Sequence, residues 1–196
     1  MTYGAGSYLQ ANKCRVVGLE NISYWSFTQE LLTFDFTFWS MTMNIGESVV
    51  SEAFIATNGL DTNFEKYRGQ WIVLYFYPKD ATSGCTLEGQ AFRDKYADFL
   101  AHHAIVFGVS RDSLKSHENF KAKQNFPFEL ISDSDEKLCA LFGVIKMKSM
   151  YGKQYLGIER STFLIDPEGI IKHVWRNVKV KGHVEEVFNT LLSAQR

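Results

Sequence analysis

The chain has 196 residues, 45% of them hydrophobic and 22% charged, with a net charge of −1 at pH 7. That length suits one ordinary domain with a sizeable core, and the balanced charge gives no electrostatic reason to expect nucleic acid or an anionic membrane as partner. Its three cysteines, Cys14, Cys85 and Cys139, are too few and too scattered for a disulfide framework, lack the paired spacing of a zinc site, and fit a reducing cytoplasm.

Residues 1–42 carry few charges, many aromatics (Tyr24, Trp25, Phe27, Phe34, Phe36, Phe38 and Trp39 among them) and no clear period. They read as an N-terminal extension with four open interpretations. It is a packed addition, a partner-binding arm, a poorly ordered segment, or the product of a reading frame whose true start is Met41 or Met43. Glu20 cuts the apolar stretch after Lys13 and Arg15 short, so this end does not read as a signal peptide. No run anywhere approaches the ~18 apolar residues of a transmembrane helix.

Residues 43–196 read as one regular domain. Trp71 to Tyr77 is a continuous apolar, β-rich run, the pattern of a strand covered on both faces. A polar loop from Pro78 to Gly84 follows. From Thr86 to Leu100, Phe92, Tyr96, Phe99 and Leu100 fall on one helical stripe. Ile105–Val109 is a second buried strand, and Ser113 is placed to cap a polar helix reaching Gln124. Phe128–Ile131 is a short strand. Asp135 reads as the cap of a helix ending at Phe142, closed by Gly143. Arg160–Ile165 and Ile170–Trp175 flank the turn Asp166-Pro167-Glu168-Gly169 as a hairpin, and His183–Leu192 is a last helix. The order predicts an α/β domain: a central mixed sheet with helices on both faces, as in the thioredoxin-like fold.

Within this pattern Cys85 closes a loop and opens a helix. The thiolate is the reactive form of cysteine, and a helix N-terminus offers unpaired N–H groups and about half a positive charge. At an ordinary pKa near ~8.5 about 3% of a thiol is ionised at pH 7, against about 90% for one lowered to ~6. Many lone cysteines are inert core residues. The polar loop and the strand-to-helix junction, where sheets of this kind place ligands, lift Cys85 above that background.

The stretch Tyr77-Pro78-Lys79-Asp80-Ala81-Thr82-Ser83-Gly84-Cys85-Thr86-Leu87-Glu88 resembles the active-site loop of peroxiredoxins. Pro78, Thr82 and Cys85 meet the pattern P-x-x-x-T-x-x-C. The YPKD opening is similar to the branch called bacterioferritin comigratory protein, or peroxiredoxin Q, although that branch often has Pro where Ser83 stands. The likeness runs through Asp112-Ser113, Ser116-His117, Ile131-Ser132-Asp133 and Gly157 to Asp166, and covers about residues 43–193. The resemblance implies a thiol peroxidase that reduces hydrogen peroxide and organic hydroperoxides without metal, flavin or haem. Cys85 would become a sulfenic acid, Thr82 would hydrogen-bond the thiolate and peroxide, Arg160 would supply a fixed cation, and Pro78 would shield the sulfur from water. Read by itself, Arg160 is a solvated charge entering a strand. Glu88 reads as structural or orienting.

Members of this branch commonly resolve the sulfenic acid with a second cysteine five residues after the first, or thirty-six. Gln90 and Lys121 occupy those positions here. Cys139 reads as a packing residue, and Cys14 lies in the N-terminal extension. The expectation is a one-cysteine mechanism with thioredoxin, glutaredoxin or glutathione as reductant, in a cytoplasmic monomer or weak dimer. The rival is a redox sensor or thiol-regulated binding module of the same fold that does not turn over. Elsewhere, His102, His103 and His117 read as exposed rather than metal-binding, and Asp133 with Asp135 lacks a calcium-loop pattern. Lys146, Lys148 and Lys153 read as a solvated basic flap near the site.

Overall fold

The computed structural model describes residues 42–49, 52–150 and 152–196. All of them lie in one compact unit within Phe38–Arg196. The expected extension, and with it Cys14, falls outside the described residues apart from Thr42.

The core is a seven-stranded sheet. Its strands are β1 (Ala53–Ala56), β2 (Leu60–Asn63), β3 (Trp71–Phe76), β4 (Ala104–Ser110), β5 (Glu129–Ser132), β8 (Ser161–Ile165) and β9 (Ile171–Trp175). They lie in the order β2-β1-β5-β4-β3-β8-β9. Pairing of β3 with β4 and of β4 with β5 is parallel, as their helical crossovers require. The β8–β9 hairpin adds antiparallel to β3, with Phe76 opposite Ser161. The other strands, β6 (Ile145–Met150) and β7 (Lys153–Ile158), form a separate hairpin.

Side chains alternate between the two faces. Trp71, Val73, Tyr75 and Tyr77 pack with Phe92 and Phe99 of α1 (Ser83–Ala101), Phe120 of α2 (Leu114–Gln124) and Val187 of α4 (His183–Ala194). Ile72, Leu74 and Phe76 face the other way, onto Leu138 and Cys139 of α3 (Lys137–Leu141) together with Phe142, Phe54 and Phe163. Helices therefore cover both faces, as expected.

Several local expectations are corrected. β1 and β2 had no counterpart in the sequence reading: the alternation in Ala53–Ala56 is only four residues long, with Phe54 and Ala56 inward. Leu100 sits at the C-terminal end of α1 and is 48% exposed, outside the stripe formed by Phe92 and Phe99. Asp135 does not cap α3. Asp133 does, accepting from the N–H groups of Leu138 at 2.9 Å and Cys139 at 2.7 Å, while Asp135 pairs with Lys137 outside. The basic flap is the β6–β7 hairpin. Lys146 and Lys153 are exposed, but Lys148 is half-buried and donates to the Ile158 carbonyl at 2.6 Å. Ser113 caps α2 as anticipated, accepting from Ser116 N–H.

Candidate active site

β3 ends at Phe76, and the chain then rises through Pro78–Thr82 into α1. Thr82 is the N-cap residue in extended conformation, and its carbonyl accepts the first helical bond, from Thr86 N–H at 2.9 Å. No side chain caps the helix. The first-turn N–H groups of a nineteen-residue helix are thus left to whatever lies at its mouth. Cys85, three residues past Thr82, lies within that first turn and is 2% exposed.

Arg160 arrives from the other side of the sheet's chain order. Because β8 pairs antiparallel with β3 and Ser161 opposes Phe76, residue 160 falls beside the start of the loop. Its Nη2 donates to Cys85 Sγ at 3.3 Å, and its Nη1 donates to a Glu88 carboxylate oxygen. A Cβ added to Gly84 would lie 3.5 Å from the same Nη2, so the guanidinium lies against the first turn of α1. Arg160 is therefore no solvated edge charge: its side chain is 14% exposed. Both the helix mouth and the guanidinium stabilise negative charge on the sulfur.

Glu88 is fully buried one turn after Cys85, and its Oε1 has no hydrogen-bond partner. Burial pushes its carboxyl up to about 7, against the opposing pull of Arg160. Burial alone would lower the pKa of Arg160, but the charges of Glu88 and Cys85 and the bonds to both raise it.

The structure brings Cys85, Arg160 and Glu88 into direct contact. Thr82 is exposed and its hydroxyl donates to the Lys79 carbonyl at 3.2 Å rather than to the sulfur. Pro78 is half-buried at the base of the loop. Lys148 lies near enough for Arg160 to lower its pKa and Cys85 to oppose that, with burial the largest cause of the lowering. Sequence reasoning placed this second basic group near the site but read it as solvated, because its burial is set by the β6–β7 hairpin and not by its neighbours in sequence.

Of the two other cysteines, Cys139 lies among the described residues. Cys139 is fully buried in the core layer on the opposite sheet face from Cys85, and burial beside Asp133 raises its thiol far above the usual range. Gln90 and Lys121 are both tied down: Gln90 donates to Gln124 at 2.9 Å, and Lys121 pairs with Glu129 at 2.5 Å. His117 corrects the expectation of an exposed histidine. It is fully buried and bonded to Asp80 and to the Ile131 carbonyl. No group of three or more His, Cys, Asp or Glu side chains suited to a metal ion occurs among the described residues.

A thiol set between a helix mouth and a guanidinium on a mixed sheet has the donors that thiol-based peroxide chemistry calls for. The AhpC/TSA family model matches residues 45–174, and the chain belongs to that family. Within it the similarity is to the Bcp, or peroxiredoxin Q, branch. Peroxiredoxin Bcp of Xanthomonas campestris is 55% identical over 135 residues, covering 69% of this chain and 84% of that protein. Peroxiredoxin Bcp of Bacillus subtilis is 48% identical over 151 residues, covering 77% and 96%. Among solved structures, a cysteine-to-serine mutant of Xylella fastidiosa PrxQ superimposes with a TM-score of 0.75 at 47% identity, covering 79% of this chain and 98% of that one. Bacterioferritin comigratory protein of Xanthomonas campestris, studied for alkyl peroxide reduction in trapped-intermediate and ligand complexes, gives 0.73 at 47% identity, with the same coverage. The fold is thioredoxin-like, and the activity is that of a thiol-dependent peroxidase.

Proposed function

We propose that Cys85 is the peroxidatic residue and that this chain works with one cysteine. The observation that carries the reading is the donation from Arg160 Nη2 to Cys85 Sγ at 3.3 Å, at an uncapped helix N-terminus. The thiolate attacks the terminal oxygen of a hydroperoxide, as thiolates attack other electrophiles. The O–O bond breaks, an S–O bond forms, and the departing alkoxide takes up a proton as alcohol. Arg160, already aimed at the sulfur, stabilises charge as it moves onto the oxygens. Thr82 and Cys85 stand in the N-cap and N3 relation, which puts the Thr82 hydroxyl within one helical turn of the sulfur. On peroxide binding the Thr82 hydroxyl leaves Lys79 and bonds the substrate. Pro78 keeps water from the sulfur.

The sulfenic acid is then reduced by two equivalents of external thiol, giving water and a disulfide. Gln90 and Lys121 stand at the two expected resolving positions and Cys139 lies on the far face of the sheet, which favours an external reductant such as thioredoxin, glutaredoxin or glutathione. Residues 43–196 are the catalytic domain in this reading, acting in the cytoplasm as a monomer or weak dimer on hydrogen peroxide and organic hydroperoxides. The chemistry uses the protein's own sulfur and needs no cofactor.

The test is peroxide consumption by wild type and Cys85→Ser with a panel of thiol donors. Turnover lost only in the variant is expected. A single stoichiometric burst with every donor would instead favour the sensor reading. Non-reducing mass spectrometry after one equivalent of peroxide should show no Cys85–Cys139 disulfide.

A further inference from the structure

Behind the loop that leads to Cys85 lies a buried polar cluster that the reaction above does not use. The Asp80 carboxylate collects three donors: Tyr77 hydroxyl at 2.8 Å, Ser116 hydroxyl at 2.7 Å and His117 Nδ1 at 2.9 Å. The Asp80 N–H donates to Asp112 at 2.9 Å, and the Ser110 hydroxyl donates to the same Asp112 oxygen at 2.7 Å. Residue 80 is thereby fastened at once to the end of β3, the start of α2 and the segment after β4. Burial alone would raise the Asp80 pKa, but the bonds from His117 and Ser116, the His117 charge and the Tyr77 bond outweigh it and hold the carboxyl below the usual range.

The partners fix how His117 bonds. Its Nε2 faces the Ile131 carbonyl at 3.1 Å, a group that only accepts. Its Nδ1 faces a carboxylate that already accepts two hydroxyl protons. Nδ1 also lies 3.3 Å from the Tyr77 hydroxyl, so the imidazole and the carboxylate share one closed cluster, with side chains 0% and 5% exposed. A buried pair of this kind is secure only with both members present, because removing one leaves the other's buried polar atoms without a partner.

Beyond Asp80 the fastening thins to one side-chain bond, from the Thr82 hydroxyl to the Lys79 carbonyl at 3.2 Å. Ala81 is a non-glycine residue at φ 55°, a conformation that stores strain. Thr82 and Ser83 are exposed, and α1 has no side-chain cap. The chain thus runs from a fixed anchor through one strained residue into the turn that carries Cys85. Cys85 is 2% exposed, which leaves little room at its sulfur for anything larger than a small molecule. A thiol carried on another protein must come within a disulfide bond length, ~2.05 Å, and the turn must open to admit it.

We propose that Asp80 and His117 form a positioning pair that latches the 78–84 loop. The pair holds Cys85 closed against Arg160 for peroxide, and its strength sets how readily the turn opens to a protein dithiol. The proposal rests on Cys85 being the peroxidatic residue. In the open state the dithiol's first thiolate attacks the oxidised Sγ. The S–O bond breaks and hydroxide leaves as water. The second thiol then displaces Cys85 as thiolate, leaving the reductant as its disulfide.

Asp80→Asn and His117→Gln in the full chain test this, with three measurements on each. The rate of reduced Cys85 with hydrogen peroxide should fall at least tenfold. The ratio of Cys85 alkylation by a polyethylene-glycol maleimide to that by N-methylmaleimide should rise at least threefold; a ratio cancels changes in thiolate content. Amide exchange should quicken in residues 79–88 and stay unchanged in β8 and β9. Wild-type values of the alkylation ratio and of exchange in folded variants would overturn the latch. If these variants fail to fold, Ser116→Ala, which removes one donor, decides: a smaller change in the same direction supports the proposal and wild-type behaviour refutes it. A wild type unreactive toward peroxide would defeat the peroxidatic reading instead, with the latch then judged on exchange and alkylation alone.

Discussion

Replacing Glu88 by glutamine isolates a buried carboxyl whose contribution to stability depends on pH. In the folded protein Glu88 is fully buried, lacks a partner for Oε1 and titrates near 7, against an ordinary value of 4.5. Below pH 4.5 the folded and unfolded chains both hold the proton, and the group favours neither state. Between 4.5 and 7 the unfolded carboxyl ionises while the folded one stays protonated. The folded state then binds more protons, and its stability falls as pH rises. Above 7 both forms are ionised and the loss is complete. At about 1.4 kcal/mol for each tenfold change in proton affinity, the total is about 3 kcal/mol. The glutamine side chain has no such titration and keeps an oxygen that accepts from Arg160. Urea denaturation of both proteins at half-unit steps from pH 4 to 8.5 should show the Glu88→Gln variant gaining about 3 kcal/mol on wild type, with the rise confined to pH 4.5–7. A difference between the two that stays flat across this range would refute the reasoning and mean that Arg160, not burial, dominates the site.

Other consequences are as direct. Arg160→Met removes the donor to Sγ and should slow the peroxide step of Cys85 roughly 10²–10³-fold in stopped-flow traces. Gly89→Ala puts a Cβ 2.4 Å from the Phe126 ring, inside a packed layer, and should cost about 1–3 kcal/mol by chemical denaturation. Asp133→Ala removes the acceptor at the start of α3 and should cost about 1–2 kcal/mol, whereas Asp135→Ala, in an exposed pair with Lys137, should cost less than about 0.5 kcal/mol in the same assay.

Much of this protein is legible in the order of its residues. The apolar run at 71–77, the periodic Phe92 and Phe99, and the turn at 166–169 announce β3, α1 and the β8–β9 hairpin, because burial and turn geometry act on neighbours in sequence. The loop motif likewise marks Cys85, whose place at a helix mouth is a local fact. The short β1–β2 pair escaped notice, since four residues give too little alternation to separate from chance.

What the sequence alone left open concerns pairs distant along the chain. Arg160 read by itself was a surface charge; only the antiparallel register of β8 on β3 carries it to a sulfur 75 positions away. The same holds for His117, judged exposed until α2 folded it against Asp80, and for Asp133, which took the capping role assigned to Asp135. Glu88 was visible as a residue of the first turns of α1, but its elevated proton affinity exists only because packing removes water from around it. Periodicity and local motifs are properties of contiguous residues and survive in a one-dimensional reading. Electrostatic pairing and desolvation depend on which distant groups share a volume, and the tertiary fold alone decides that.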